Sequence, residues 1–384
     1  MDNNQQTLTF DNAYAEIFSF EAAGGVKEYQ VMIHVSDATL PFEQQLESLR
    51  GAYFNLLKDR LSDALPVFKR YFLSDASNQG PQVYVQEFDD TLGALSVIQQ
   101  PPLDGTKVAL WVYFMSEVQP RSLQGNNFFE ARHGAYRHLW MGGMFNNEAD
   151  SEAQTSILFN EYVTQLAEQD CTLADNCVRT WLFVNDIDNQ YAGMVRARNA
   201  AFIIQGLTNE THFIASTGIG GRQADPKVFV QMDAYAVGGL EPGQMHYLYA
   251  SDHLNRTSEY GVSFERGTCV DYGDRRHFFV SGTASINDQG KILHPGDIRK
   301  QAGRMLENVD ALLKEAGATF ENVAQMIVYL RDIADYAVVR KIYDERFPGK
   351  PKVFLLAPVC RPGWLIEMEC MGVTNQKNEA YAPL

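Results

Sequence analysis

The chain has 384 residues, of which 45% are apolar and 12% aromatic, so it can bury a substantial core in two or three domains. Its formal net charge of −16 argues against nucleic acid as a partner, because phosphate binding needs patches of Lys and Arg. No apolar run approaches the roughly 18 residues that cross a bilayer, and residues 1–6 lack a basic and then apolar leader, so we expect neither a membrane segment nor a signal peptide.

The cysteines and histidines carry no recognisable site. The five cysteines are scattered and include no CxxC pair, which indicates a reducing compartment, and we expect a cytoplasmic protein. The eight histidines form neither an HExxH motif nor a Cys/His cluster. We therefore expect no metal and no other cofactor.

The first third of the chain predicts the order strand, helix, strand, short helix, strand, strand. Apolar residues recur at helical spacing in the longer helix, and a Pro-Pro/Asp-Gly corner separates the last two strands. In chain order these predicted elements occupy 31–35, 42–57, 67–75, 82–87, 94–98 and 108–114.

The same order of elements returns twice, and Asp75, Asp186 and Asp332 fall at matching strand ends. In the middle third the elements are predicted at 136–141, 152–169, 178–187, 191–202, 211–215 and 228–237. In the last third they are predicted at 278–282, 298–316, 326–333 and 336–347, with a strand pair inside 354–370. Three copies of about 110–130 residues explain the length better than two unequal domains.

Each copy gives a small sheet with helices on one face, and three such sheets can bury their free faces around a common axis. We therefore predict an α+β fold of three tandem repeats that form an intramolecular pseudo-trimer, most simply as a monomer. The expected domains are 1–120, which is degenerate, 121–250, and 251–384, which carries the site. Segments 119–127 and 238–244, rich in Gly, Pro, Asn and Gln, are predicted linkers.

The most informative stretch of the sequence is 354–370. Cys360 and Arg361 form a Pro-flanked corner, and the residues after it alternate, so that Glu367 and Glu369 share one face of a strand. A strand with acids on a face usually reserved for the core is either solvent-exposed or catalytic. The matching position of the second copy is Gln231, so at most one of three equivalent pockets has this acid.

The last copy resembles the reactive-intermediate deaminase (RidA/YjgF) superfamily, whose chorismate mutase-like subunits form homotrimers with pockets between them. The finer resemblance is to the chorismatase family, single-chain relatives that hydrolyse chorismate. The first copy carries almost none of this family's motifs. The resemblance rests on Tyr247-Leu248-Tyr249 with 262–266, on 281–286, on Tyr329-Leu330-Arg331, and on Val359-Cys360-Arg361 followed by 365–369.

The resemblance implies a reaction, a proton donor and a product type. Hydrolysis of the enolpyruvyl ether to pyruvate and a dihydroxycyclohexadiene or hydroxybenzoate needs a carboxylic acid with a raised pKa, and arginines that bind the substrate carboxylates. It implies Glu367 as that acid and Arg331 and Arg198 as carboxylate ligands. Cys360 occupies a pocket position that bears on the product, with Cys found in the hydroxybenzoate-forming type.

Further residues follow from the same resemblance. The Gly-rich segment 216–221, predicted as a loop, matches the family's loop beside the substrate ring and lacks the spacing of a dinucleotide fingerprint. Arg196 and Arg198 lie two apart on a predicted helix, so at most one enters the pocket. Further substrate contacts are expected from Arg361, Tyr191, Thr217, Gly218, Ser281 and Thr283.

Two other functions remain open. RidA-type deamination of enamines or imines uses an Arg at the start of the strand after the second helix, where this chain has Lys352, a poorer bidentate partner. A non-catalytic protein could also bind a small anion in a persisting pocket. The endoribonuclease label of some superfamily members does not fit the acidic charge of this chain.

Overall fold

The computed structural model describes residues 4–22, 25–88, 90, 92–124 and 127–384. Over these residues the chain forms three six-stranded mixed sheets, one from each third of the sequence.

The first sheet has the strand order β1-β2-β3-β6-β4-β5, with β5 parallel to β4. Helices α1 (Phe42–Asp59) and α2 (Ala76–Glu87) belong to this repeat, and α1 packs on one face of the sheet. The hairpin of β1 and β2 precedes the first predicted strand and was not anticipated. The strands are β1 (Gln5–Phe10), β2 (Ala13–Glu21), β3 (Lys27–Val35), β4 (Ala64–Leu73), β5 (Ala94–Gln99) and β6 (Val108–Ser116).

The second sheet has the order β11-β10-β12-β9-β8-β7 and the helices α3 (Ser151–Ala167), α4 (Leu173–Asn176) and α5 (Ile187–Ile204). Its strands are β7 (Gln119–Gln124), β8 (Phe128–His133), β9 (Tyr136–Phe145), β10 (Cys177–Val184), β11 (Ala215–Gly220) and β12 (Val230–Gly238).

Two predictions for the second repeat were wrong. The segment 216–221 is not a loop, because most of it is strand β11, parallel to β10. Its glycines allow close packing: a Cβ on Gly220 would lie 2.7 Å from Cδ of Pro358 in the third repeat. The predicted linker 119–127 is largely the edge strand β7, while its residues 125 and 126 lie outside the described part of the chain.

The third sheet repeats the order, as β13-β14-β15-β18-β16-β17, with helices α6 (Ile298–Glu315) and α7 (Tyr336–Arg346). Each repeat thus has an outer hairpin, two central strands and a parallel pair, so the predicted fold of three tandem RidA/YjgF-like repeats is confirmed. The strands are β13 (Met245–Leu248), β14 (Gly267–Asp271), β15 (Arg275–Ala284), β16 (Val323–Leu330), β17 (Lys352–Leu356) and β18 (Ile366–Asn375).

The sheet faces turned away from the helices meet in a shared aromatic core. The ring of Phe68 in the first repeat lies 4.9 Å from that of Trp140 in the second. Trp111 and Trp181 from the same two repeats are 6.2 Å apart, and the cluster continues through Phe279 of the third. Burial of large rings is the main favourable contribution to such a core.

Buried ion pairs join every pair of repeats. The side chains of each ion pair are almost wholly buried, so removing one partner would leave an uncompensated charge inside the protein. The pairs are Arg70–Asp233 at 2.7 Å, Arg179–Glu369 at 2.9 Å and Arg275–Glu28 at 2.6 Å.

The chain passes from the first sheet to the second between Ser116 and Gln119, and from the second to the third between Gly238 and Met245. Division of the chain into domains at 120/121 and 250/251 stays a proposal. Within the described ranges, no helix is both long and apolar enough to cross a membrane.

Candidate active site

A pocket of about 550 Å³, its mouth included, lies in the cleft between the second and third repeats. Its walls come from α5 and β11 of the second repeat and from β15, β18 and the loops before β14 and β18 of the third. Seven of the ten predicted site residues line it, so the structure brings most of them together. These seven are Tyr191, Arg198, Thr217, Gly218, Cys360, Arg361 and Glu367.

Glu367 lies on β18 with only 5% of its surface exposed. Burial, reinforced by the neighbouring carboxylate of Glu369, raises the pKa of Glu367 to about 8, although Arg179 and Arg266 oppose the shift. A carboxyl group with this pKa is mostly protonated at neutral pH. The pocket therefore contains a carboxylic acid that can donate a proton.

Glycine at position 282 makes room for this carboxyl group. A Cβ on Gly282 would collide with Oε1 of Glu367 and lie 3.1 Å from Cγ2 of Thr217. The pairing of β15 with β18 shifts register between Val280 and Thr283, around this residue. Gly282 was not among the predicted site residues, although a lone Gly in a predicted strand indicates a bulge or a close approach.

Glu369, two residues along the same strand, is held differently. Its Oε2 accepts a hydrogen bond from Nη2 of Arg179 at 2.9 Å, and its Oε1 accepts one from Nε1 of Trp181 at 2.6 Å. Both donors belong to β10 of the second repeat. Glu369 is therefore an anchor between repeats, and its negative charge acts on Glu367 at short range.

Thr217 on β11 has a hydroxyl group with a defined role. Its Oγ1 accepts hydrogen bonds from Nη2 of Arg179 at 2.5 Å and from the backbone N–H of Gly282 at 2.9 Å. A hydroxyl oxygen has two lone pairs, and both are used. The hydroxyl hydrogen is left to donate to an acceptor in the pocket.

Three arginines give the pocket a cationic lining. Arg198 of α5 and Arg266, next to β14, lie 5.9 and 5.4 Å from the ring of Phe264, and Arg361 stacks over Trp364 at 4.9 Å. Planar guanidinium groups suit carboxylate ligands. Such a lining favours an anionic ligand.

Of these three arginines, Arg198 agrees with the predicted site and Arg266 was not predicted. Arg196 turns to the surface and pairs with Glu152 at 2.7 Å, so only Arg198 of that helix pair enters the pocket. Arg266 was not singled out, because it lies in an irregular segment whose pattern predicts no orientation. It donates to the backbone carbonyl of Asn255 at 3.0 Å.

Arg331 lies beside the pocket and does not line it. Its Nη1 donates to the carbonyl of Val359 at 2.7 Å, and its Nη2 donates to both carboxylate oxygens of Asp188 at 2.5 and 2.6 Å. It therefore fastens the loop before β18 to α5. In this geometry Arg331 positions the wall that carries Cys360 and does not reach a ligand.

Ser281 and Thr283 also lie behind the lining. The Ser281 hydroxyl donates to the carbonyl of Glu265 at 2.6 Å and accepts from the N–H of Ser216 at 3.0 Å. The Thr283 hydroxyl donates to the carbonyl of Ser281 at 2.9 Å. Both hydroxyls hold strand β15 in place, so their predicted contact with a substrate has no support from this geometry.

Cys360 and Tyr191 form another part of the lining. Burial and the nearby Glu367 raise the pKa of the Cys360 thiol to about 12, so it stays protonated and is a poor nucleophile. A Cβ on Gly218 would lie 3.2 Å from Cε2 of Tyr191, so glycine lets this ring lie against β11. In the part of the chain that the structure describes, no group of three or more His, Cys, Asp or Glu side chains could hold a metal ion.

The comparisons with known proteins place the chain in a family. A family model described as Endoribonuclease L-PSP matches residues 270–374, within the third repeat. A RutC family protein of Pyrococcus abyssi is 36% identical over 95 residues, which cover 24% of this chain and 75% of that protein.

A solved structure supports the fold. The crystal structure of a chorismatase superposes with a TM-score of 0.63 at 19% identity, over 80% of this chain and 93% of that chain. The structure of the YjgF gene product of E. coli matches with a TM-score of 0.28 at 22% identity, over 34% of this chain and 98% of that chain. The chain thus belongs to the RutC/L-PSP family of the RidA/YjgF superfamily and has the three-repeat fold of a chorismatase.

Proposed function

We propose that this protein hydrolyses the enolpyruvyl ether of chorismate, or of a related dicarboxylate, and releases pyruvate. One observation carries the proposal: a buried Glu367, whose pKa is raised to about 8, lies in a pocket that three arginines line. The substrate class needs both features, because it has two carboxylates to bind and an electron-rich double bond to protonate.

The reaction begins with a proton transfer from Glu367 to the methylene carbon of the enolpyruvyl group. The adjacent carbon becomes an oxocarbenium-like centre, and Glu367 becomes a carboxylate. Water adds to that centre and gives its proton to Glu367. The resulting hemiketal breaks its bond to the ring oxygen as its hydroxyl group loses a proton, the ring oxygen gains a proton in turn, and pyruvate leaves as the ketone. Glu367 ends the cycle protonated, as it began.

The remaining residues bind and orient the substrate. Arg198, Arg266 and Arg361 provide the guanidinium groups that hold the carboxylates. Thr217 adds one hydroxyl donor whose direction its two N–H contacts determine. The buried setting keeps Glu367 protonated until the substrate arrives.

The test is pyruvate release from purified protein incubated with chorismate, followed by coupling to lactate dehydrogenase. Substitution Glu367→Gln keeps the shape of the side chain and removes the transferable proton. We expect pyruvate release to fall by about 10³-fold, within the range for loss of a general acid. The control Glu161→Gln, at an exposed position of α3, should keep full activity. No pyruvate above background from well-folded wild-type protein would reject the proposal.

The deaminase alternative is less well supported. Lys352, at the position where that chemistry uses an arginine, has its ammonium group 3.0 Å from Oε1 of Glu16. A lysine that is already paired with an acid is a poor ligand for a substrate carboxylate. We therefore expect no hydrolysis of 2-aminoacrylate by this protein.

We also propose that the protein acts as a monomer, since its three repeats already close the shared core. Light scattering should give a molar mass near 43.2 kDa. A stable trimer of whole chains would contradict this part of the proposal.

A further inference from the structure

A second cleft lies between the third and the first repeats, and it holds about 290 Å³ of space. Most of its walls are the counterparts of those of the first pocket. Helix α7 and strand β17 take the places of α5 and β11, β3 takes that of β15, and the loop before β6 takes that of the loop before β18. Strand β2 lines the cleft directly, whereas its counterpart β14 contributes only the loop before it to the first pocket.

The cationic side chains of this cleft are already engaged. The three N–H groups of the Lys352 ammonium face Oε1 of Glu16 at 3.0 Å and the carbonyls of Phe347 and Lys350 at 3.3 Å. Since an ammonium group has three donors, Lys352 has none left for a ligand.

Arg340 is engaged in the same way. Its Nε donates to the carboxylate of Asp344 at 2.7 Å, and its Nη1 donates to the hydroxyl of Tyr336 at 3.2 Å. With Arg340 and Lys352 each paired with an acid, the cleft lacks the spare positive charge that an anionic ligand needs.

His34, by contrast, is left unsatisfied. It is 4% exposed, and neither ring nitrogen has a hydrogen-bond partner. Its Nε2 is 3.6 Å from Oε2 of Glu16, and its Nδ1 is 4.0 Å from Oδ2 of Asp104, both longer than a hydrogen bond. Buried polar groups almost always have partners, so this imidazole indicates an occupant of the cleft.

Asp104 offers a second group that can bind a ligand, its carboxylate oxygen Oδ2. Its Oδ1 accepts from the N–H of Thr106 at 3.0 Å and from the Thr106 hydroxyl at 2.6 Å. Its Oδ2 faces His34 across the cleft. A group that donates to Oδ2 of Asp104 and to a ring nitrogen of His34 would satisfy both.

Aromatic rings complete the walls. The ring of Tyr14 stacks on His34 at 4.8 Å, and Tyr336 and Phe354 lie edge to face at 5.8 Å on the other side. Aromatic faces together with a carboxylate favour a cation with a small apolar part. Three carboxylates line this cleft or pair with its side chains, those of Glu16, Asp104 and Asp344, against the two cations Lys352 and Arg340.

We propose that this second cleft binds a small primary ammonium compound, a protonated alkylamine of a few carbon atoms. Its N–H groups donate to Asp104 and to His34, and its alkyl part lies against Tyr14 and Phe354. The proposal is independent of the reaction at Glu367, because the two clefts share no side chain.

The experiment is a nitrogen-15 NMR titration of the histidine rings of the whole protein with methylammonium chloride. The variant His34→Gln identifies the His34 signals among the eight histidines. We expect methylammonium to shift these signals saturably, whereas sodium acetate and sodium chloride at equal ionic strength leave them in place. Tetramethylammonium, which has no N–H group, should bind at least tenfold more weakly.

The matched variants are Asp104→Asn, expected to weaken methylammonium binding at least tenfold, and the exposed Asp288→Asn, expected to leave it unchanged. Pyruvate release should be the same in both variants and in the wild type. The absence of a saturable methylammonium shift in the wild-type protein would overturn the proposal. So would an equal response to acetate or to tetramethylammonium.

Discussion

The two clefts lie at corresponding interfaces between repeats and have opposite chemistry. In the first, burial raises the pKa of Glu367 to about 8. In the second, burial also acts to raise the pKa of Glu16, but contact with His34 and Lys352 outweighs it and lowers that pKa. The two acids lie at different positions of the repeat, on β18 and on β2, and in each cleft the neighbouring side chains decide whether a buried acid keeps its proton.

The interface between the first and second repeats adds a third case. Gln231 occupies the position that matches Glu367, and its amide Nε2 donates to the hydroxyl of Ser96 at 3.3 Å. An amide cannot give up a proton at neutral pH. Of Glu367, Glu16 and Gln231, only Glu367 is a buried acid with a raised pKa.

The largest expected effect in the comparison comes from the glycine behind Glu367. Substitution Gly282→Ala places a methyl group against Oε1 of Glu367 and must displace the carboxyl group. We expect the rate of pyruvate release to fall by about 10²-fold, because small displacements of a reacting group have effects of this size. Gly303→Ala on α6, where an added Cβ meets nothing within 4 Å, is the control and should keep full activity. Equal rates for both variants would show that the carboxyl position is not critical.

The hydroxyl of Thr217 should have the next largest effect. Thr217→Val removes the donor and leaves the side-chain shape almost unchanged, while Thr217→Ser keeps the hydroxyl. A hydrogen bond to a charged group contributes about 1.5–3 kcal/mol, so we expect kcat/KM to fall by about 10- to 100-fold in the valine variant only. If serine is as damaging as valine, the methyl group and not the donor is what matters.

The remaining expected effect is on stability. The pKa of Glu367 rises from 4.5 to about 8 on folding, so its contribution to stability is complete below pH 4.5 and is lost as the pH rises through 8. Glu367→Gln has no such titration. The difference between the unfolding free energy of the variant and that of the wild type should therefore increase in favour of the variant, on the order of a few kcal/mol, between pH 5 and pH 9. Urea unfolding at both pH values measures this, and parallel curves would mean that the pKa of Glu367 is not raised.

The sequence predicted the three repeats because each one keeps the strand–helix–strand pattern that its core requires. It missed the outer hairpins of all three repeats. Strand β1 is mostly polar, and β7 lies in a segment of turn-forming residues. Edge strands need less apolar surface, so their sequences resemble loops.

The site was predictable where it depends on strand alternation, as for Glu367, and less so where long side chains choose between partners. Arg331 follows a buried strand and was expected to reach the pocket, but its guanidinium group forms an ion pair with Asp188 of another repeat instead. Arg266 enters the pocket from an irregular segment. Neither direction follows from local sequence, because each is set by contacts with residues distant along the chain.

The central claim is that Glu367 holds a proton at neutral pH and gives it up near pH 8. Difference infrared spectroscopy of the wild type against Glu367→Gln measures this directly, through the carbonyl band of a protonated carboxyl group. We predict that the band is present at pH 7, is absent from the variant, and disappears from the wild type with a midpoint near 8. A band that is already absent at pH 7, or that titrates near 4.5, would contradict the claim.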